Sequence, residues 1–383
     1  MRILHLTSHL NVGGITTYVS QLAEGLKRRG HDVIVASGGG ALVSRLSQGG
    51  IRHWSLPLST SAEFSLQVGW AWWRLSRQLA RESVDLIHAH TRVAQVLAHT
   101  LWGARRIPYV TTWHGFYRRR LGRRWWPCTG ERTIAISEPV SRHLQEVFRI
   151  PAQRIRLIPH GIDVASFSQP LDLATHEQAR WSWGLPASGL TVGTVARLVP
   201  SKGVAQLLEA FREIQRRIPE VSLLIVGDGP QRPRLEQMAD ALDLTQAVRF
   251  AGSLPDARRA LCVMDVFVFL PAVQEGFGLS LLEAMAAGKP IVSVRRGIGA
   301  AWVLDKQGIG LTVEPDRPDQ LARAVVRVLQ DPAEAQRLGQ RAQELARTRY
   351  DLGQVLDQVE AVYAECLNQT ADHRLQTTGN AFH

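Results

Sequence analysis

Two carboxylates, Glu275 and Glu283, lie eight positions apart in PAVQEGFGLSLLEAMAAGKPIVSV (271–294), with Gly276 and Gly278 between them. A carboxylate on a glycine-rich loop can reach a polar ligand, and the glycines let that ligand approach backbone N–H groups at a helix start. A second carboxylate, one turn into the helix, can accept two hydrogen bonds from a vicinal diol. Ser280-x-x-Glu283 reads equally as a capping box in which Glu283 serves the helix's own amides. Arg197 and Lys202 lie five apart in ARLVPSKG, across a loop containing a proline. Two cations so placed can converge on one phosphate group, or be solvated charge. Gly13 and Gly14 in NVGG either bind a phosphate through amides at a helix start or form a tight turn. The strand-like segments DLIHAH and PYVTTWHG end in His90 and His114. His88 and His90 are expected to cap the core, whereas His114 is followed by Gly115, which lets the chain turn away.

These residues need elements to hold them. MDVFVFL, before the carboxylate loop, reads as a strand buried on both faces, too short for a membrane span. Gly288 and Pro290 stop the helix, and IVSV begins another strand. The order strand, glycine-rich turn, helix, strand presents a ligand site at strand ends in an α/β sheet. The N-terminus repeats it: RILHL is a strand, a helix is expected from about Thr16 to Arg29 with Gly30 as its stop, and DVIVA is a second strand. It lacks GxGxxG, so a dinucleotide site is not supported. RTIAIS, RIRLI, LTVGTVA, VSLLIV and VRFAG add further strands. From Val164 to Gly189 no strand repeats, and its later part reads as linker. Helices are expected from Asp319 to about Leu367, followed by a loose tail.

EGFGLSLLEAMAAGKPIV closely resembles the signature of the retaining, nucleotide-sugar-dependent glycosyltransferases of family 4. The resemblance implies the GT-B fold, α/β, with two Rossmann-like domains facing across a cleft. The implied parts are an acceptor or membrane-facing domain over 1–168, a nucleotide-sugar donor domain over 186–352, and a helix over 353–368 crossing back to the first domain, with 369–383 as tail. It further implies that Glu275 meets the transferred sugar, that Glu283 meets the ribose, and that Gly276, Phe277, Gly278 and Leu279 line the donor. Arg197 and Lys202 then bind the diphosphate, Gly13 and Gly14 close over it, and His114 orients the sugar or the leaving phosphate. The loop Gly252–Asp256 corresponds to the base site. Two departures stand out: PHGID carries His160 where the family usually has Asn, and GIGAAW around Gly297 lacks the family's Gly-Gly followed by Glu.

Composition narrows the rest. The 383 residues suit two domains, and 45% apolar with 21% charged is ordinary for a globular protein. Cys128, Cys262 and Cys366 form no CxxC pair, which fits a reducing cytoplasm. No Asp-x-Asp pair occurs, so no metal or other cofactor is expected. Residues 1–168 carry 22 Lys plus Arg against 9 Asp plus Glu, while the remainder carries 23 against 25. The N-terminal half should therefore face something anionic. No nucleic-acid-binding signature is apparent. Two segments interleave Arg with Trp: the helix Leu66–Arg81, with Trp70, Trp73, Arg74, Arg77 and Arg81 off its core stripe, and Arg118, Arg119, Arg120, Arg123 and Arg124 beside Trp125 and Trp126. That mixture suits an anionic bilayer surface, or a solvated basic loop with buried Trp. The expected activity is sugar transfer from a nucleoside-diphosphate sugar to a lipid-linked or lipopolysaccharide-type saccharide, by a cytoplasmic protein peripheral on the inner face of the membrane. The rival readings are a non-catalytic sugar-nucleotide or nucleic-acid binder and a nucleotide-sugar epimerase.

Overall fold

The computed structural model of the chain describes all residues except 61, 118–122, 124, 170–171, 272–274, 296–302, 305–306 and 380–383, and the backbone alone for 370–379. The chain divides into two compact units, Met1–Gly161 with Leu352–His383, and Ile162–Asp351.

The first unit is a seven-stranded sheet of β1 (Arg2–Leu6), β2 (Asp32–Ser37), β3 (Arg52–Ser55), β4 (Leu86–Ala89), β5 (Tyr109–Trp113), β6 (Arg132–Ala135) and β7 (Ile155–Leu157). The order is β3-β2-β1-β4-β5-β6-β7, and every pairing is parallel. Side chains alternate between faces along each strand. Ile3, Val33, Val35, Leu86, Val110 and Ile134 face a core shared with helices Gly14–Arg28 and Leu352–Gly379. Leu4, Leu6, Ile34, Ala36, Ile87 and Ala89 face helices Leu66–Arg81 and Arg92–Arg105. Helix Leu66–Arg81 has the expected bounds because Ser65 caps it, its hydroxyl accepting from Val68 N. It buries Val68, Ala71, Leu75 and Leu79 and leaves Trp70 and Trp73 about half exposed.

The second unit has β8 (Thr191–Val195), β9 (Ser222–Val226), β10 (Val248–Gly252), β11 (Val266–Phe269), β12 (Ile291–Val294) and β13 (Gly310–Val313), ordered β10-β9-β8-β11-β12-β13 and again wholly parallel. In each sheet the order reverses at the first strand, so the loops after β1 and β4, and those after β8 and β11, diverge at the strands' carboxyl ends. Ligand crevices form at such points.

Three expectations change. The division between the units falls after Gly161, not at 168. The stretch expected to be linker contributes helices Val164–Ser168 and Leu173–Ser182 to the second unit. Its apolar residues explain this: Val164 and Phe167 are buried, and Ser168 Oγ donates to Ala286 O at 3.2 Å. Asp163 and Asp172 cap the two helices. The last helix runs unbroken from Leu352 to Gly379, through the first part of the expected loose tail.

Gly161 shows why PHGID needs its glycine. A Cβ there would lie 2.9 Å from Val355 Cβ and 3.0 Å from the backbone Cα of Leu352, so the segment lies directly against the start of the last helix. Gly161→Ala is therefore expected to lower stability by about 1–3 kcal/mol through overpacking. A fall in thermal midpoint measured by calorimetry checks this, and an unchanged midpoint would contradict the packing.

Candidate active site

In the second unit, β8 ends at Val195 and the chain passes through Arg197 into a 3-10 turn, Pro200–Lys202, with Gly203 leading into helix Val204–Arg217. The neighbouring loop after β9 pins this segment, as Leu198 N donates to Asp228 O at 2.9 Å and Leu198 O accepts from Gln231 N at 3.0 Å. Arg197 is exposed. Lys202 Nζ donates to Glu275 Oε2 in a mostly buried ion pair, the side chains being 21% and 16% exposed. The loops after β8 and β11 thus meet through the phosphate-binding candidate and the sugar-binding candidate.

Gly278, not Ser280, caps helix Leu279–Ala286. Its φ is +98°, and a Cβ would lie 2.5 Å from the Phe269 ring, so any other residue is strained and crowded there. Ser280 is already inside the helix, which removes the capping-box reading of Glu283. Among the described residues the Glu283 carboxyl makes no hydrogen bond. Burial first, and then the negative charge of Asp256, push its carboxyl up to about 8. Asp256 belongs to the loop after β10 that the sequence pointed to as a base site, so Glu283 lies within electrostatic reach of that loop. Phe277 is buried and packs on Tyr350, ring centroids 5.1 Å apart. It therefore belongs to the core, and its bulk fixes the turn. Gly276 is buried beside it, and Leu279 is 8% exposed.

In the first unit, Gly13 caps helix Gly14–Arg28 with an extended backbone, φ 173°, and both glycines are exposed. Thr17 N donates to Gly13 O at 2.8 Å, so the amides before Thr17 have no partner within the helix. Neither a tight turn nor strain calls for glycine at position 13. His114, just past β5, is 9% exposed. Its Nδ1 lies 2.8 Å from His160 Nε2, and its Nε2 lies 3.4 Å from His90 Nδ1. Burial first, then repulsion from His160, lowers its pKa well below the usual imidazole range, so it is neutral. His90 joins His5 at 2.9 Å, and His88 bridges Tyr363 Oη at 2.6 Å and Thr112 Oγ1 at 2.7 Å. His5, His88 and His90 form the one group of ligand atoms among the described residues close enough to share an ion, within 4.8 Å of one another. Both nitrogens of His88 and both of His90 already have partners, so these three do not offer a ready metal site. The sequence missed this cluster because its members come from two strands, β1 and β4, some eighty residues apart.

Two family models match the chain. Residues 12–166 match the model described as Glycosyltransferase Family 4, and residues 175–345 match Glycosyl transferases group 1. A phosphatidyl-myo-inositol mannosyltransferase of Mycolicibacterium smegmatis is 31% identical over 364 residues, covering 92% of this chain and 90% of that one. The chain belongs to glycosyltransferase family 4. The lipopolysaccharide core biosynthesis glycosyltransferase LpsD of Rhizobium meliloti is 35% identical over 179 residues, 47% of this chain and 50% of its own length. Anabaena HepE, solved with UDP and glucose, superposes with a TM-score of 0.83 at 22% identity, covering 95% of this chain and all of that one. The fold is GT-B, built of the two parallel α/β units described above.

On the surface of the glycosyltransferase's first unit, Phe64, Leu66, Trp70, Trp73, Trp125 and Trp126 are exposed. Phe64 stacks on Trp126, and Arg74 and Arg77 lie over Trp70 and Trp73. Arg123 pairs with Glu63, itself held by Arg92, so its charge is partly used internally. Arg118, Arg119, Arg120, Arg124 and the segment around Gly297 lie outside the described residues. No helix among the described residues is long and apolar enough to cross a membrane.

Glu283 predicts a pH signature. A carboxyl held near 8 when folded and near 4.3 when unfolded keeps its proton better in the folded state. Its stabilising contribution is complete below about pH 4 and is lost as pH rises to about 8. Between pH 5 and 8 the wild type should lose stability relative to Glu283→Gln, by at most about 1.4 kcal/mol per pH unit. Denaturant unfolding of both proteins at the two pH values measures the difference, and parallel behaviour would disprove the assignment.

Proposed function

We propose that this glycosyltransferase moves a sugar from a nucleoside-diphosphate sugar to a hydroxyl of a lipid-linked or lipopolysaccharide-type saccharide, with retention of anomeric configuration and without a metal ion. The observation that carries the reading is the Lys202–Glu275 pair at the carboxyl ends of β8 and β11, with exposed Arg197 in the same loop as Lys202. In this reading the donor separates the pair. Lys202 turns to the diphosphate with Arg197, and Glu275 turns to the sugar hydroxyls. Glu283 accepts from the ribose diol, and the free amides after Gly13 and after Gly278 face phosphate oxygens.

Breaking the glycosidic bond to the phosphate passes through an oxocarbenium-like state while negative charge grows on the departing diphosphate. Arg197, Lys202 and the helix amides meet that charge. Glu275 and Glu283 are both engaged in binding, which leaves neither as an obvious covalent nucleophile. The acceptor hydroxyl therefore attacks from the face the diphosphate leaves, its oxygen bonding to the anomeric carbon and its proton passing to the leaving phosphate. His114, a neutral imidazole, donates a hydrogen bond to the sugar or the leaving phosphate. The relatives' names, a phosphatidyl-myo-inositol mannosyltransferase and a lipopolysaccharide core enzyme, support a lipid-bound acceptor. HepE's structure with UDP and glucose supports the donor class.

Arg197→Ala or Lys202→Ala should each slow transfer roughly ten- to a hundredfold, since a charge-assisted hydrogen bond is worth about 1.5–3 kcal/mol. Nucleoside diphosphate release from UDP, GDP and ADP sugars, with a membrane lipid extract as acceptor and EDTA present, is the measurement. Full activity in the double variant, or a strict requirement for a divalent cation, would defeat the mechanism. Release without any acceptor would point to an epimerase instead.

The exposed aromatic and Arg residues of the first unit would rest on the cytoplasmic face of the membrane, Trp at the interface and Arg against lipid phosphates. Anionic vesicles should therefore sediment more protein than neutral ones. Replacing Trp70, Trp73 and Trp125 together by Ser should weaken that binding about tenfold or more. Equal binding to both vesicle types would remove the membrane role.

A further inference from the structure

Four imidazoles run in series through the first unit: His5 Nδ1 to His90 Nε2 at 2.9 Å, His90 Nδ1 to His114 Nε2 at 3.4 Å, and His114 Nδ1 to His160 Nε2 at 2.8 Å. All four are buried, and burial is the first cause holding each below the usual imidazole pKa, to about 3 for His5 and His160. A neutral imidazole has one N–H and one lone pair. Three consecutive bonds among neutral rings must then all point the same way along the series. The two nitrogens left over are its ends, His5 Nε2 and His160 Nδ1, and among the described residues these are the two imidazole nitrogens that are buried without a partner.

Two polarities satisfy this arrangement. If His5 donates first, His114 carries its proton on Nδ1, directed at His160, and its Nε2 is a bare acceptor. If His160 Nε2–H donates first, His114 carries its proton on Nε2. That proton points across the longest contact of the series, the one a ligand can most readily replace. Tyr18 stacks on His160 at 4.3 Å and meets the His114 ring edge-on at 5.7 Å, so both rings are held against rotation.

We propose that His160 is a positioning residue: by donating to His114 Nδ1 it fixes the Nε2–H tautomer, turning His114 into a hydrogen-bond donor, and the buried series back to His5 keeps that polarity. The role of His114 as a donor rests on the reading in the preceding section, whereas the series itself rests on the distances alone. An amide side chain at position 160 can make the same donation.

The test is two-bond 1H–15N correlation spectroscopy of the full chain carrying 15N-histidine, at pH 7.5 and without donor, with the 13 histidines assigned by single substitutions. The wild type should show His114 as one neutral Nε2–H tautomer. His160→Asn should keep it, and His160→Leu should lose it to a mixture or to Nδ1–H. His5→Phe, two rings away from His114, should change the tautomer balance of His90 and His114 without touching the latter. In transfer assays His160→Leu should lower kcat about tenfold with KM little changed, and His160→Asn should restore it. Thermal midpoints confirm that the variants are folded. An Nδ1–H tautomer in the wild type, or one unchanged in both His160→Leu and His5→Phe, overturns the proposal. Because the spectra need no substrate, a tautomer shift in a protein without transferase activity would sustain the series while refuting the proposed reaction.

Discussion

The structure depends on parallel pairing of buried strands. A parallel neighbour can be reached only by carrying the chain back across the sheet, so every strand of a sheet ends at the same edge, and that edge collects the irregular loops. Where the strand order reverses, the loops after adjacent strands diverge and open a crevice. In the second unit these strands are β8 and β11. Arg197 and Lys202 follow the first, and Glu275 follows the second. Residues some seventy positions apart meet because of backbone pairing.

A site built this way must be stable while empty. A lone partly buried lysine or carboxylate would face an uncompensated desolvation cost, and the Lys202–Glu275 pair removes it for both. Glu283 solves the same problem differently: with no cation beside it among the described residues, it keeps its proton. A protonated carboxyl is both donor and acceptor.

Much of this was legible in the sequence, and the limits have physical causes. Short apolar runs, glycine stops and the Arg–Lys and Glu–Glu spacings are local signals, and they located the strand-end loops that carry these residues. Helix Leu66–Arg81 was readable to the residue because Ser65 and a clean apolar stripe define it. Ser280 misled because the capping-box pattern does not reveal that Gly278 has the backbone angle the turn demands, nor that Phe269 fills the space beside it. Helices Val164–Ser168 and Leu173–Ser182 were hidden by their shortness and polar composition. Their Asp caps were the available signal.

The histidine series marks a different limit. His5, His88 and His90 each read as a core residue when taken singly. Strand register places His5 opposite His88 and His88 opposite Val110, two residues before Thr112. Period-two alternation then turns His5, His88, His90, Thr112 and His114 to one face, beneath Tyr18 and Tyr363. A single buried imidazole must find partners for two nitrogens. Several together satisfy one another, with the two ends of the series left over. Once one ring's proton is placed, the others follow, because each has only one to give. A residue two rings from His114 can therefore bear on its chemistry, a coupling that follows from the pairing of β1, β4 and β5 and that no stretch of sequence displays.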